Sequence, residues 1–146
     1  MRFTDMFTEL VRAEIELWNG LDAQLNESAG ISLPQFQALA AIRGIDGGAR
    51  VQDISRAMSI TVGATSKLVD RLERDGLAVR SANPGDRRSS FVSLSDSGAI
   101  ALDTAATVSE AHLLRVLGDV LPGEGADRLR GELASLRTAA SERVAK

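Results

Sequence analysis

From Phe3 to roughly Asn26 apolar residues return with a helical period: Phe3, Met6, Phe7, Leu10, Val11, Ile15, Leu17, Trp18, Leu21 and Leu25. The stripe is wider than one partner helix covers. It reads either as a core helix or as a helix partly buried by a second subunit. Gly30 to Pro34 then punctuates the chain. Pro34 falls in the first turn of a new helix, where its missing N–H costs nothing. That helix runs to about Arg43, with Phe36, Leu39, Ala40 and Ile42 as its apolar side. Gly44 and the Gly47–Gly48 pair end it, and Ala49–Val51 has room for a very short strand.

A third helix opens at Gln52 or Asp53 with Ile54, Ala57 and Met58 inward, and Ser59–Thr61 forms a turn. Thr61 is placed to cap a fourth helix, Val62 to about Asp75, because its hydroxyl can accept an N–H of the first turn. Ala64, Leu68, Val69 and Leu72 make the expected buried side of that helix. Gly63, Ser66, Lys67, Asp70, Arg71 and Arg74 lie mainly opposite, and Gly76 supplies a left-handed stop. Leu77–Ser81 reads as a strand, Asn83–Pro84–Gly85–Asp86 as a turn, and Ser89–Leu94 as the return strand, with Phe91, Val92 and Leu94 as its apolar residues. Ser95 caps a long helix to about Val120, Pro122–Gly123 breaks it, and a last helix carries Leu129, Leu133 and Leu136 from about Glu124 to Val144.

Composition changes this picture little. The 146 residues suit one domain, 44% are hydrophobic and 3% aromatic, so helix packing is the expected architecture. There is no cysteine, which removes disulfides, thiolate metal sites and cysteine redox sensing and fits a cytoplasmic location. The N-terminal stretch is interrupted by charges every few residues and reads as neither a signal peptide nor a membrane span.

Charge changes the picture more. The net charge is −3, yet residues 43–88 hold nine Arg or Lys against six Asp or Glu, a local +3 that leaves −6 for the flanks. A chain with a basic middle and acidic ends is oriented by the field of a polyanion.

The stretch Asp53–Leu72 has helix–turn–helix spacing, a pattern that any tight helix pair can share. Three features add to it. The second helix begins with the small residues Val62 and Gly63, so its end can approach closely. Its exposed side offers Ser66, Lys67 and Arg71 as donors to phosphates or base edges. A hairpin carrying Asp86, Arg87 and Arg88 follows at once. The guanidinium group, weakly hydrated, suits a narrow minor groove, and Asp86 is placed to hold Arg88 extended. Standing alone, the arginine pair would be an ordinary solvated cluster on a turn.

The run TSKLVDRLERDGLAVRSANPGDRRSSFVSLSDSG closely resembles the winged helix–turn–helix core of the MarR family of bacterial regulators. The LVDRLERDGL block, the NPGDRRS wing and the V-x-L-S-x-x-G step into the next helix carry the resemblance. It covers residues 31 to 100 by motif and nearly the whole chain by element order. It implies a mainly α fold with a small β-hairpin wing: a winged helix–turn–helix core at about 31–95, and dimerisation helices at about 3–27 and 95–144, in a single domain of residues 1–146. It implies a homodimer with interlocked first and last helices, bound to double-stranded DNA as a repressor on a pseudo-palindromic operator. DNA contacts map onto Thr61, Val62, Gly63, Thr65, Ser66, Lys67 and Arg71 in the recognition helix, and onto Asp86, Arg87 and Arg88 in the wing. Many relatives bind small anionic aromatic effectors, and Arg12, Trp18 and His112 are chemically suited to line such a site, although a surface arginine and packed Trp and His explain them as well. Two positions depart from the pattern: Ser59 stands where a turn glycine is common, and Val62 where a proline is common.

Catalysis has no constellation to support it. His112 is the single histidine, it sits among apolar neighbours, and no phosphate-binding or dinucleotide fingerprint occurs. No cofactor, metal or membrane partner is expected. The rival to DNA binding is a winged-helix protein-interaction module, which the acidic overall charge favours and the retained Lys67, Arg71 and double-arginine wing oppose.

Overall fold

The structure, a computed structural model, describes residues 2–86 and 88–144. Its element order is α1 (Phe3–Ser28), α2 (Leu33–Gly44), α3 (Val51–Met58), α4 (Val62–Arg74), β1 (Ala78–Ala82), β2 (Ser90–Leu94), α5 (Asp96–Leu117) and α6 (Gly125–Val144). This is the mainly α architecture with a hairpin wing that the pattern predicts. The chain divides into two compact units, up to Glu110 and from Ala111 onward.

In the first unit, Leu25, Leu39, Ile54, Val69, Leu72 and Val92 are fully buried and form the centre of the core. Local chemistry sets the element ends. Ser32 caps α2 through a capping box: its Oγ accepts from Gln35 N at 3.3 Å while Gln35 Oε1 accepts from Ser32 N at 3.0 Å. Asp22 of α1 accepts from Leu33 N at 2.7 Å, pinning the start of α2 to α1. Gln35 also donates to Asp75 Oδ2 at 2.8 Å, so the α2 cap is joined to the end of α4.

Helix α4 stops in a Schellman arrangement. Gly76 has φ +73°, and Leu77 N donates to Leu72 O at 2.8 Å. Ser95 then ties the next corner, its Oγ donating to Gly76 O at 2.6 Å and accepting from Gly98 N at 3.0 Å. Gly98 explains the S-x-x-G step. A Cβ there would lie 1.8 Å from Leu77 O, so only glycine lets α5 begin against that carbonyl.

The hairpin pairs β1 with β2 antiparallel, in register from Ala78 with Leu94 to Ala82 with Ser90. The short strand expected near Ala49 is a single bridge to Val92, whose N–H donates to Ala49 O at 2.7 Å.

Inward assignments move in three helices. In α4 the buried residues are Thr65, Val69 and Leu72, while Ala64 is exposed. In α2, Ala38 and Gln35 are buried where Phe36 and Ala40 were expected inward. In α3, Ser55 is buried and Ala57 exposed. In β2, Val92 is fully buried and Phe91 is half-buried.

The second unit contains the end of α5, a turn through Pro122 and Gly123, and α6. Leu117, Leu121, Leu129 and Leu133 line an open apolar groove of about 430 Å³ within it. No helix among the described residues is long and apolar enough to cross a membrane.

Candidate nucleic-acid interface

The helix–turn–helix is α3, a tight turn and α4. Ser59 holds the turn in the left-handed region, φ 56° and ψ 39°. It is the non-glycine residue with positive φ among those described, at the position where the resemblance expects glycine. Ser55 Oγ donates to Ile60 O at 2.6 Å and Ile60 N donates to Ser55 O at 3.2 Å, so the strained turn is clamped from both sides. Thr61 caps α4 as expected, accepting from Ala64 N at 3.1 Å.

The predicted recognition residues separate into two groups. Thr61, Val62, Gly63, Lys67 and Arg71 are exposed and Ser66 is half-buried, all on the outer side of α4. Thr65 is fully buried, and its Oγ1 donates to Thr61 O at 2.8 Å. A side chain that is enclosed and already hydrogen-bonded has no route to a base edge, so the expected contact by Thr65 is corrected: it supports α4 from within.

The wing tip is ordered by its own polar side chains. Asn83 Oδ1 accepts from Gly85 N at 3.0 Å, and Asn83 Nδ2 donates to Ser89 Oγ at 3.1 Å. Asp86 Oδ1 accepts the backbone N–H of Arg88 at 2.9 Å. Asp86 therefore closes the turn through the main chain, a different job from gripping the Arg88 guanidinium. Arg88 is exposed. Arg87 lies outside the described residues.

Sequence reasoning gave no role to Arg80, which the structure places between wing and helix. Its guanidinium reaches Asp70 Oδ1 at 2.7 Å and also pairs with Glu73, both on α4. Burial weighs against its charge, yet the hydrogen bonds and attraction of the two carboxylates hold it more firmly protonated than a free arginine. The effect on the surface is electrostatic sorting. Asp70 and Glu73 are neutralised by a strand cation, while Lys67 and Arg71 on the same helix have no carboxylate partner within 4 Å among the described residues. The signal in the sequence was a cation in the strand that follows a helix bearing two carboxylates one turn apart.

At the start of α3, Asp53 accepts from Arg50 N at 3.0 Å and from Arg50 Nε at 3.2 Å. These bonds, with the nearby charges of Arg50 and Arg56, hold its carboxyl below the usual aspartate value. No cluster of His, Cys, Asp and Glu among the described residues could hold a metal ion. His112 is half-buried, with Nδ1 3.3 Å from Arg115 Nη2.

Known proteins place this geometry. Residues 29–89 match the MarR family model. The chain is 31% identical over 91 residues to the transcriptional repressor MdtR of Bacillus subtilis, an alignment covering 62% of this chain and 58% of MdtR. The chain spans a little over half the length of the curated relatives it matches, 51% to 58%. Solved structures match over more of it. Sco3205 of Streptomyces coelicolor, a MarR family regulator in complex with DNA, superposes with a TM-score of 0.82 at 25% identity, covering 94% of this chain and 86% of that one. CouR of Rhodococcus jostii RHA1, bound to p-coumaroyl-CoA, has the same fold with a TM-score of 0.78 at 23% identity over 90% of this chain and 91% of that one. The motif run, the hairpin-winged architecture and these matches agree: residues 29–89 are those of a MarR family winged helix–turn–helix core, and the chain has the fold of MarR family regulators.

Proposed function

We propose that this protein is a homodimeric, sequence-specific DNA-binding transcription regulator acting as a ligand-responsive repressor. The observation that carries the reading is the exposed side of α4: a capped helix start with small residues, followed by Lys67 and Arg71 without carboxylate partners among the described residues, beside a wing whose tip presents Arg88. DNA complexes among structural relatives support it.

In this reading α4 enters the major groove. Thr61, Val62, Gly63 and Ser66 approach base edges, and Lys67 and Arg71 bind phosphates or base edges. Arg87 and Arg88 enter the flanking minor groove, with Asp86 shaping the turn that presents them. Two such heads lie about 34 Å apart on a pseudo-palindromic operator.

The dimer reading rests on apolar surface. Phe3, Phe7, Leu10, Val11 and Ile15 of α1 are exposed at one-turn intervals, as are Leu129, Leu133 and Leu136 of α6. A second copy is the occupant that a two-fold operator requires. The effector is proposed to be a small anionic aromatic compound or its conjugate, the class to which the ligand of CouR belongs.

The test is a gel shift with duplex DNA from immediately upstream of the protein's own gene, across a salt series. Replacing Arg87 and Arg88 together by alanine is expected to weaken binding. It should also flatten the log–log salt slope by about 0.9 per lost phosphate contact. Unchanged affinity and slope would remove the wing from the interface, and no retained duplex at moderate salt would remove the reading itself.

A further inference from the structure

We propose that Val62 is a specificity-determining residue that reads the C5 methyl group of thymine in the major groove. The proposal rests on the DNA-binding reading above and adds the chemistry by which one position of the sequence is chosen.

Val62 is the first residue of α4 and is 51% exposed, although it has only hydrocarbon to show. Its setting offers no structural reason for an exposed valine. The helix start is already capped by Thr61, so Val62 contributes nothing to the cap. A β-branched residue is a poor helix former, and an exposed one gains no burial in return. Its neighbours on the outer side, Ser66, Lys67 and Arg71, are polar or cationic. Val62 therefore stands as the most exposed large apolar side chain of the helix–turn–helix, ahead of Ile60 in the turn at 37%.

Space around it is open. A Cβ built on Gly63 meets nothing within 4 Å, so the flank of Val62 is clear for close approach of the helix end. The first residues of a recognition helix are those that meet base edges. Base-pair edges in the major groove present hydrogen-bonding groups and one apolar group, the thymine methyl. Valine has no donor or acceptor with which to read the former. Its stiff side chain also loses little freedom when it is covered. The thymine methyl is the group that rewards an exposed valine at this place.

Replacing thymine by deoxyuridine removes that methyl and changes nothing else in the pairing. A duplex selected by the wild-type protein from random sequence should be scanned with single deoxyuridines. At one thymine in each half-site the wild-type affinity is expected to fall about fourfold, the effect of losing one buried methyl group. Val62→Ala should bind the two forms of that duplex equally. Lys67→Ala should bind both more weakly and keep the fourfold ratio. A silent deoxyuridine scan, or a loss that persists unchanged in Val62→Ala, overturns the proposal while leaving DNA binding intact. Failure to select any duplex overturns the underlying reading instead.

Discussion

Helices α1 and α4 treat their apolar residues in opposite ways. Helix α4 is complete within its own chain: Thr65, Val69 and Leu72 are enclosed, both ends are capped, and the cations are on the outside. Helix α1 is twice as long, 26 residues against 13, yet encloses only Leu21 and Leu25 among its described residues. Phe3 is 87% and Phe7 62% exposed. Water tolerates the outer face of α4 and penalises that of α1. The first surface suits a charged, hydrated ligand such as a phosphate backbone, and the second suits apolar surface of matching length.

The largest expected effect tests that difference directly. Phe7→Glu combined with Ile15→Glu places two charges in the α1 stripe. If a second copy covers it, the dissociation constant of the dimer should rise more than about 100-fold, since burying an unpaired charge costs several kcal/mol. Sedimentation velocity at micromolar concentration would then show monomer. Ser66→Glu combined with Lys67→Glu, on the outside of α4, should leave sedimentation unchanged and abolish DNA retention. A dimer that survives charges on α1 would assign its stripe to some other partner.

A second effect separates a core helix from an interface helix by concentration. Leu72→Ala opens a cavity in the enclosed face of α4 and should cost about 2–5 kcal/mol. The resulting shift in urea midpoint should persist on 100-fold dilution of the protein. Leu10→Ala removes a side chain that its own chain leaves partly uncovered, so its cost should shrink as the protein is diluted. Equal behaviour of the two variants would mean that α1 is covered from within.

Ser59 offers a smaller effect, at the turn that sets α4 against α3. The left-handed region costs a non-glycine residue about 1–2 kcal/mol, and glycine adopts it freely. Ser59→Gly is therefore expected to raise stability by about 1 kcal/mol, read as a higher thermal midpoint. No change would mean that the serine side chain recovers the strain by a contact of its own.

Much of the contrast was legible in sequence because it is local. Thr61 as a cap, Gly76 as a stop, Pro34 in a first turn and the Asn83–Asp86 turn all act through atoms a few residues away, and the structure has each of them. What escaped depends on partners distant in sequence. Gln35 is buried because Asp75, 40 residues on, accepts from it. Val92 is the enclosed residue of β2 because Ala49 bridges to it from across the core. Arg80 counted in sequence only toward the basic middle of the chain, whereas in the fold it is paired with Asp70 and Glu73. Thr65 misled in another way. A threonine reads as polar, but back-bonding to the i−4 carbonyl satisfies its hydroxyl and lets the methyl enter the core, turning the buried face by one residue from Ala64. The DNA-contact list was affected at that position for the same reason.

The smallest effect concerns the first helix of the helix–turn–helix. Asp53 accepts three hydrogen bonds from Arg50 and lies near Arg56, so its carboxyl titrates below the ordinary value of 3.8 in the folded chain. A carboxyl whose pKa is depressed by folding binds fewer protons in the native state than in the unfolded one. Its contribution is therefore complete above pH 3.8 and is lost as pH falls through the lower, native value. Asp53→Asn keeps the shape and removes the charge. Near neutral pH it should cost about 0.5–1 kcal/mol, the range of a helix-start contact. The difference from wild type should narrow as pH falls below 3.8 and close only below the depressed native value, where the wild-type carboxyl is itself neutral. Stability curves that stay parallel through the whole acid range would place the value of Asp53 in its shape alone. They would also leave the start of α3, unlike the outer side of α4, indifferent to charge.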